Sequence, residues 1–249
     1  MVTRLTGKKA EGKMDNAGLD RVRQAEQIIA ALETHLLPRR IARMKEVLST
    51  RSDRVAFVFE RMVDPHNLSA VLRTMDAFSF QEAHLIAPLD KLGLSKGITS
   101  GAERWLTLNQ HEDTVTCLKI IRSQGFQIIA SHVAPGRGIT LAEIDFSRPV
   151  ALVFGNEHAG VGEEVLALAD QTFHVPMRGM VESFNLSVAA AICAAHARQA
   201  LETNEPMAPS PEGFLLPREK ALAIYALWLQ CSVRRSEKIL IEQGIAPMG

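Results

Sequence analysis

Cysteine is scarce in this chain, and so are aromatic residues. Cys117, Cys193 and Cys231 stand far apart, each in an apolar, helix-like context. That excludes a disulfide-stapled secreted scaffold and reads as three reduced core thiols in the cytoplasm. No apolar run approaches the roughly 20 residues that a membrane-crossing helix needs. The opening MVTRLTGKKAEGK has no apolar segment and does not read as a secretory signal. The phosphate-loop pattern GxxxxGK[ST] is absent, because Gly155 and Gly160 are followed by Val161. No GxGxxG follows the first strand, and GxSxG, HExxH and CxxC are missing too. The eight histidines show no metal-ligand spacing, so no metal is expected. There is no net charge.

What is present is unevenly spread. Residues 1–54 hold twelve Lys/Arg against seven Asp/Glu, and residues 218–238 five against two. The remainder of the chain then carries a net charge of −8, and basic ends on a more acidic middle suit contact with a polyanion. Hydrophobic residues at 47% over 249 positions are enough for a substantial core.

Residues 1–17, polar and rich in Gly and Lys, read as disordered. A helical stripe begins near Leu19 and uses Val22, Ile29, Leu32 and Leu36; Pro38 breaks it or opens the next helix. Short apolar runs at 55–60, 83–87, 105–108, 127–131, 150–154 and 172–175 read as strands. Helical patterns alternate with them. In one, Leu68, Val71, Leu72 and Met75 fall on a single face, and Arg73 lies roughly 140° around from Leu68. Asp64, Pro65 and Asn67 read as a turn, with Asn67 or Ser69 as the helix cap. The triplets Asn-Leu-Ser at Asn67 and Asn185 read as two similar helix entrances. Residues 205–212, with three prolines, read as a linker before two more helices. The alternation predicts an α/β fold with a mostly parallel sheet and helices on both faces. Basic helical extensions at 1–54 and 203–249 flank a central domain over 55–202.

In such sheets ligands bind beyond the carboxyl ends of strands. Three polar clusters stand there: Asn67 with Arg73; Gly155, Asn156 and Glu157; and Ser183 with Asn185. Asn, Arg, Glu and Ser can hold a polar, anionic substrate. They include no strong nucleophile and no general base other than Glu157. That suits a reaction whose electrophile a cofactor has already activated.

The clusters resemble the three motifs of the SPOUT methyltransferases, in particular the TrmH family of RNA ribose 2′-O-methyltransferases. Asn67-Leu-Ser-Ala-Val-Leu-Arg73 resembles the first motif, Val153-Phe-Gly-Asn-Glu-His-Ala-Gly160 the second, and Val175-Pro-Met with Met180-Val-Glu-Ser-Phe-Asn-Leu-Ser-Val188 the third. The similarity spans about residues 55–199. It is greatest to the members that methylate the D-loop guanosine of tRNA.

The resemblance implies a deep trefoil knot within about residues 150–200, binding S-adenosylmethionine, in a homodimer paired through the knot helices. It implies His132, Gly155, Val175 and Phe184 as cofactor-pocket residues, although His132 stands where a small hydroxyl residue is expected. It implies Arg73 as the residue that engages the ribose 2′-hydroxyl. Asn67 would orient Arg73 or the phosphate, and Glu157 would hold Arg73 or receive the proton. Ser183 and Asn185 would fix the ribose and the knot loop. Arg178 would contact phosphate, and the basic helices, with Arg39, Arg40 and Arg43, would grip tRNA backbone. The alternatives are the same chemistry on ribosomal RNA, or an RNA-binding protein without catalysis.

Overall fold

The computed structural model describes residues 2–3, 16–62, 64–86, 101–132, 138–204 and 215–248. In chain order the elements are β1 (Val2–Thr3), α1 (Asn16–Leu32), α2 (Pro38–Ser49), β2 (Val55–Glu60), α3 (Pro65–Ala77), β3 (Glu82–Ile86), β4 (Thr107–His111), α4 (Thr114–Ser123), β5 (Gln127–Ser131), β6 (Ile139–Thr140), β7 (Val150–Phe154), α5 (Glu163–Leu168), β8 (Gln171–His174), α6 (Leu186–Asn204), α7 (Arg218–Ser232) and α8 (Ser236–Glu242). They divide into two compact units. One holds all the strands with α3 to α6; the other holds α1, α2, α7 and α8.

The first unit is built on one sheet of eight strands in the order β1-β4-β3-β2-β7-β5-β8-β6. Every pairing is parallel. Both faces are covered, which is why β2 (VAFVFE) and β7 (VALVF) read as unbroken apolar runs rather than alternating ones. The period of two still sorts their side chains. Val55, Phe57 and Phe59 of β2, with Val150, Leu152 and Phe154 of β7, enter the core shared with α3 and α6. Ala56, Val58, Ala151 and Val153 enter the opposite core with Cys117, Leu118 and Ile121 of α4 and Val165 of α5. The rings of Phe57 and Phe154 stack across the β2–β7 pair, 6.1 Å between centroids and 5° from parallel.

On the first face α3 lays down Leu68, Val71, Leu72 and Met75, all buried as their helical spacing requires. Against it α6 presents small side chains: Ala190, Ala194 and Ala197 are buried beside Cys193. The Arg198 guanidinium anchors the end of this pair. It donates from Nε and Nη2 to the Phe78 carbonyl at 2.9 and 2.7 Å and lies over the Phe80 ring.

Several expectations need correction. Val2 and Thr3, read as disordered, pair with Leu108 and Asn109 as edge strand β1; residues 4–15 lie outside the described residues. The strand expected at 105–108 begins two residues later, because Ala102–Arg104 form a 3-10 turn and β4 runs through the polar sequence TLNQH. The two-residue strand β6 is too short to leave a periodic signal. Asp64, not Asn67 or Ser69, caps α3: its carboxylate accepts from His66 N at 2.8 Å, with Pro65 in the first helical turn. Cys117 and Cys193 are buried thiols, but Cys231 is exposed. The loop expected at 90–103 and the linker at 205–212 fall mostly outside the described residues.

The second unit buries Ala25, Ile28, Leu32, Met44, Leu48, Ile224, Trp228 and Leu229. Glu33 ties its helices together. It accepts from Tyr225 Oη at 2.6 Å and pairs with Lys45 Nζ at 2.5 Å, while that ammonium sits over the Tyr225 ring. Gln24 reaches the Ala246 carbonyl, and Gln230 both donates to and accepts from the Met248 backbone. Among the described residues no helix is long and apolar enough to cross a membrane.

Candidate active site

The carboxyl ends of β5, β7 and β8 open onto a cavity of about 410 Å³. Its lining includes Ser131 and His132 after β5, Phe154 to Gly160 after β7, Phe173 to Val175 at β8, and Glu182 to Phe184 before α6. The four residues that the family resemblance implies for the cofactor, His132, Gly155, Val175 and Phe184, all line it. So do Glu157 and Ser183.

The loop after β7 is shaped by its backbone. Asn156 and Gly160 exchange two backbone hydrogen bonds, each 2.9 Å. Asn156 Oδ1 accepts from His158 N at 2.9 Å, and its Nδ2 donates to the Arg61 carbonyl at 3.0 Å. A Cβ on Gly155 would lie 2.0 Å from the Gly160 carbonyl carbon and 2.2 Å from Val161 N. Only glycine lets the strand end so close to the returning loop. Just beyond, Gly162 N donates to the buried Glu60 carboxylate at 2.7 Å, and Thr114 Oγ1 donates to the same group at 2.8 Å.

The loop brings Glu157 against α3. Asn67 Nδ2 donates to Glu157 Oε1 at 2.9 Å, and Asn185 Nδ2 donates to Asn67 Oδ1 at 3.1 Å. Asn185 Oδ1 in turn accepts from Ser187 N at 2.9 Å and Ser187 Oγ at 2.6 Å, capping α6. Residues 67, 157 and 185 thus join three distant segments in one side-chain chain. Asn185 acts as the helix entrance its sequence suggests. Asn67, with the same Asn-Leu-Ser context, lies inside α3, a buried residue (8% exposed) whose amide is committed to both partners.

Glu157 does not pair with Arg73, which corrects one expectation; its carboxylate takes the Asn67 amide instead. Arg73 is exposed on α3, lines no part of the cavity, and has no ion pair or hydrogen bond among the described residues. Arg178 is exposed as well and stands outside the lining. Arg39, Arg40 and Arg43 are exposed on α2 of the other unit, with Arg43 paired to Glu46 at 2.8 Å. Asn156, His158, His174, Glu182 and Cys193 also line the cavity, and the motifs assign none of them a role there. Burial pushes the Cys193 thiol up to about 12, so it stays protonated at neutral pH.

The SpoU rRNA methylase family model matches residues 54–195. The tRNA (guanosine(18)-2′-O)-methyltransferase of Escherichia coli (strain K12) is 36% identical over 155 residues, covering 62% of this chain and 67% of that protein. The enzyme of the same name from Thermus thermophilus is 38% identical over 150 residues, 60% and 77% of the two chains. Among solved structures, the A. aeolicus TrmH/SpoU tRNA modifying enzyme superposes with a TM-score of 0.69 at 30% identity, covering 79% of this chain and 98% of that one. With its parallel sheet, the cavity beyond β5, β7 and β8, and more than half its length matched by the family model, the chain belongs to the SpoU rRNA methylase family.

Proposed function

We propose that this protein transfers a methyl group from S-adenosylmethionine to the 2′-hydroxyl of a guanosine ribose in the D loop of tRNA, guanosine 18 in the names of its relatives. The observation that carries this reading is the hydrogen-bonded chain Glu157–Asn67–Asn185 beside a cavity of about 410 Å³. A cavity of that size suits a cofactor-sized ligand. Its lining suits the proposed one. Phe154, Phe173 and Val175 offer apolar surface for a flat base, and Glu157 and Glu182 offer negative charge toward a cationic sulfonium and ammonium.

Bound there, S-adenosylmethionine supplies an electrophilic methyl, so the protein needs only to position the hydroxyl and remove its proton. Arg73 is the residue assigned to the ribose. A guanidinium stays charged at any working pH and is a poor base by itself. It therefore acts by drawing in the adjacent substrate phosphate, which takes or relays the proton. Asn67 holds the start of α3 against the loop carrying Glu157, and Asn185 holds the start of α6 against Asn67. Ser183 and Arg178 are assigned to the ribose and to phosphate.

In the same reading residues 150–200 form the trefoil knot, and two copies pair through α6. Exposed Met180, Val181 and Val188 and the alanine-rich sequence of α6 support that pairing. The basic helical unit, with Arg39, Arg40 and Arg43 exposed, grips tRNA backbone.

The test is methyl transfer from labelled S-adenosylmethionine to unmodified tRNA, with nucleoside mass spectrometry and fragment mapping. Label in 2′-O-methylguanosine of the D loop supports the proposal. Label on ribosomal RNA alone keeps the chemistry and moves the substrate. Failure to bind S-adenosylmethionine overturns it in favour of RNA binding without catalysis.

A further inference from the structure

On the face of the sheet covered by α4, three buried side chains from three elements converge. They are His84 of β3, His111 of β4 and Cys117 of α4, and one donor atom from each lies within 4.8 Å of the others. His84 Nδ1 and His111 Nε2 are 3.0 Å apart, with the rings 19° from parallel. His84 and Cys117 have no exposed surface and His111 only 7%. The strand period explains the meeting. Leu108 of β4 and Ala83 and Leu85 of β3 point into the opposite core, so His84 and His111 share the face on which Cys117 is buried. None of the three lines the cavity described above. In the sheet, β3 and β4 are separated from β7, β5 and β8 by β2.

A second observation concerns the far side of the His84 ring. Its Nε2 is buried without a hydrogen-bond partner, and the nearest anion is Glu82 Oε2 at 3.8 Å. A wholly buried ring nitrogen left unpaired is costly and calls for an explanation. Coordination of His84 through Nδ1 would supply one. The bound cation fixes the tautomer with the proton on Nε2 and strengthens its attraction to the Glu82 carboxylate, the arrangement usual behind metal-ligating histidines.

We propose that His84, His111 and Cys117 form a site for one zinc-class divalent cation, with Glu82 as the carboxylate behind His84. Two imidazoles and a thiolate select a borderline-soft tetrahedral ion over Mg²⁺ or Ca²⁺. Zinc bonds of 2.0–2.3 Å put tetrahedral donors roughly 3.3–3.6 Å apart. The present spacing reaches that when the two ring nitrogens, now 3.0 Å apart, open slightly and the thiol, no more than 4.8 Å from them, moves in by about 1.2–1.5 Å at most. Three protein donors leave a fourth position for water. Cation binding to Cys117 as a thiolate releases the thiol proton to solvent. The sequence shows no local ligand spacing because each ligand comes from a different element.

The experiment uses the full chain, stripped with chelator and titrated with Co²⁺ as the spectroscopic stand-in for Zn²⁺. The expected result is a sulfur-to-cobalt charge-transfer band with tetrahedral visible bands, saturating at one equivalent and bleached by Zn²⁺. The band should vanish in Cys117→Ser and persist in Cys193→Ser and Cys231→Ser. Glu82→Gln should weaken metal affinity about 10–100-fold while keeping the band. ¹¹³Cd NMR on the unmodified chain reads the donor set directly, so the result does not depend on Cys117→Ser folding. One sulfur with two nitrogens supports the site. A band that follows Cys193 or Cys231, a different donor set, or no band at one equivalent overturns it.

Discussion

The side-chain amide of Asn67 is held between two partners, donating to Glu157 at 2.9 Å and accepting from Asn185 at 3.1 Å. A carboxamide can do both because it carries a donor and an acceptor on the same planar group. Asn67→Ala should leave the other two groups without this partner. The expected loss is about 1–3 kcal/mol in urea denaturation, together with a fall in methyl transfer. Loss of transfer with stability intact would show that Asn67 touches substrate rather than positioning its neighbours.

Asn67→Asp separates charge from shape. It places a second carboxylate where the amide now meets Glu157, and two such groups cannot both ionise cheaply. One carboxyl of the pair acquires a raised folded-state pKa. Its protonated form is then favoured by folding, so the penalty is largest at neutral pH and shrinks as pH falls toward the carboxylate range. Stability of this variant relative to the parent should therefore improve from pH 7 to pH 5. A difference independent of pH would show that Glu157 does not face residue 67 in solution.

How far these features are legible in the sequence follows from the range of the forces involved. Strands β2, β5 and β7 are readable because their burial on both faces leaves continuous apolar runs. Strand β4 is displaced from its expected place because TLNQH buries Asn109 and His111, polar residues that an apolar template skips. The cavity-lining residues His132, Gly155, Val175 and Phe184 come from motif resemblance rather than periodicity. The partner of Glu157 differs from expectation for another reason. Charge complementarity points to Arg73, whereas the packing of α3 puts Asn67 at that place and leaves Arg73 exposed. The His84–His111–Cys117 cluster leaves no local spacing at all, since parallel pairing and α4 create it.

Arg73 lends itself to a clean separation of stability from chemistry. The side chain is exposed and bonded to nothing among the described residues, so Arg73→Ala should change stability by no more than about 0.5 kcal/mol. Methyl transfer should fall by roughly 10²–10³-fold, the scale of losing one charge stabiliser at a reacting centre. Calorimetric affinity for S-adenosylmethionine should hardly move. Equal loss of binding and transfer would remove Arg73 from the proposed role.

Gly155→Ala probes the loop that forms the cavity wall. The added methyl would meet the backbone of Gly160 and Val161 at 2.0–2.2 Å, and neither can rotate away as a side chain would. The loop must shift, at a cost of about 1–3 kcal/mol, and the Asn156–Gly160 backbone pair is the first contact to suffer. Weaker S-adenosylmethionine binding in calorimetry, alongside a lower melting temperature, is the expected pair of results. Unchanged binding would place the cofactor away from this loop.

The helical unit has its own pH signature, read through Glu33. Burial pushes its carboxyl up, but hydrogen bonds from Lys45 and Tyr225 and the Lys45 charge outweigh it, so the net shift is below the ordinary value of 4.5. A carboxyl depressed in the folded state stabilises at neutral pH, and that contribution is lost as pH falls from about 4.5 through the folded value. Tyr225→Phe removes the 2.6 Å hydrogen bond and with it part of the depression. The variant should be less stable than the parent at pH 7 by about 1–2 kcal/mol, since the acceptor is charged but part-exposed. The gap should narrow as pH falls from about 4.5 through the folded value, below which Glu33 is protonated in both. Fluorescence of Trp228 on α7, in a Trp105→Phe background, follows this unit separately from the sheet. A stability gap that stays constant down to pH 3 would show that the hydroxyl contributes through packing rather than through the Glu33 charge.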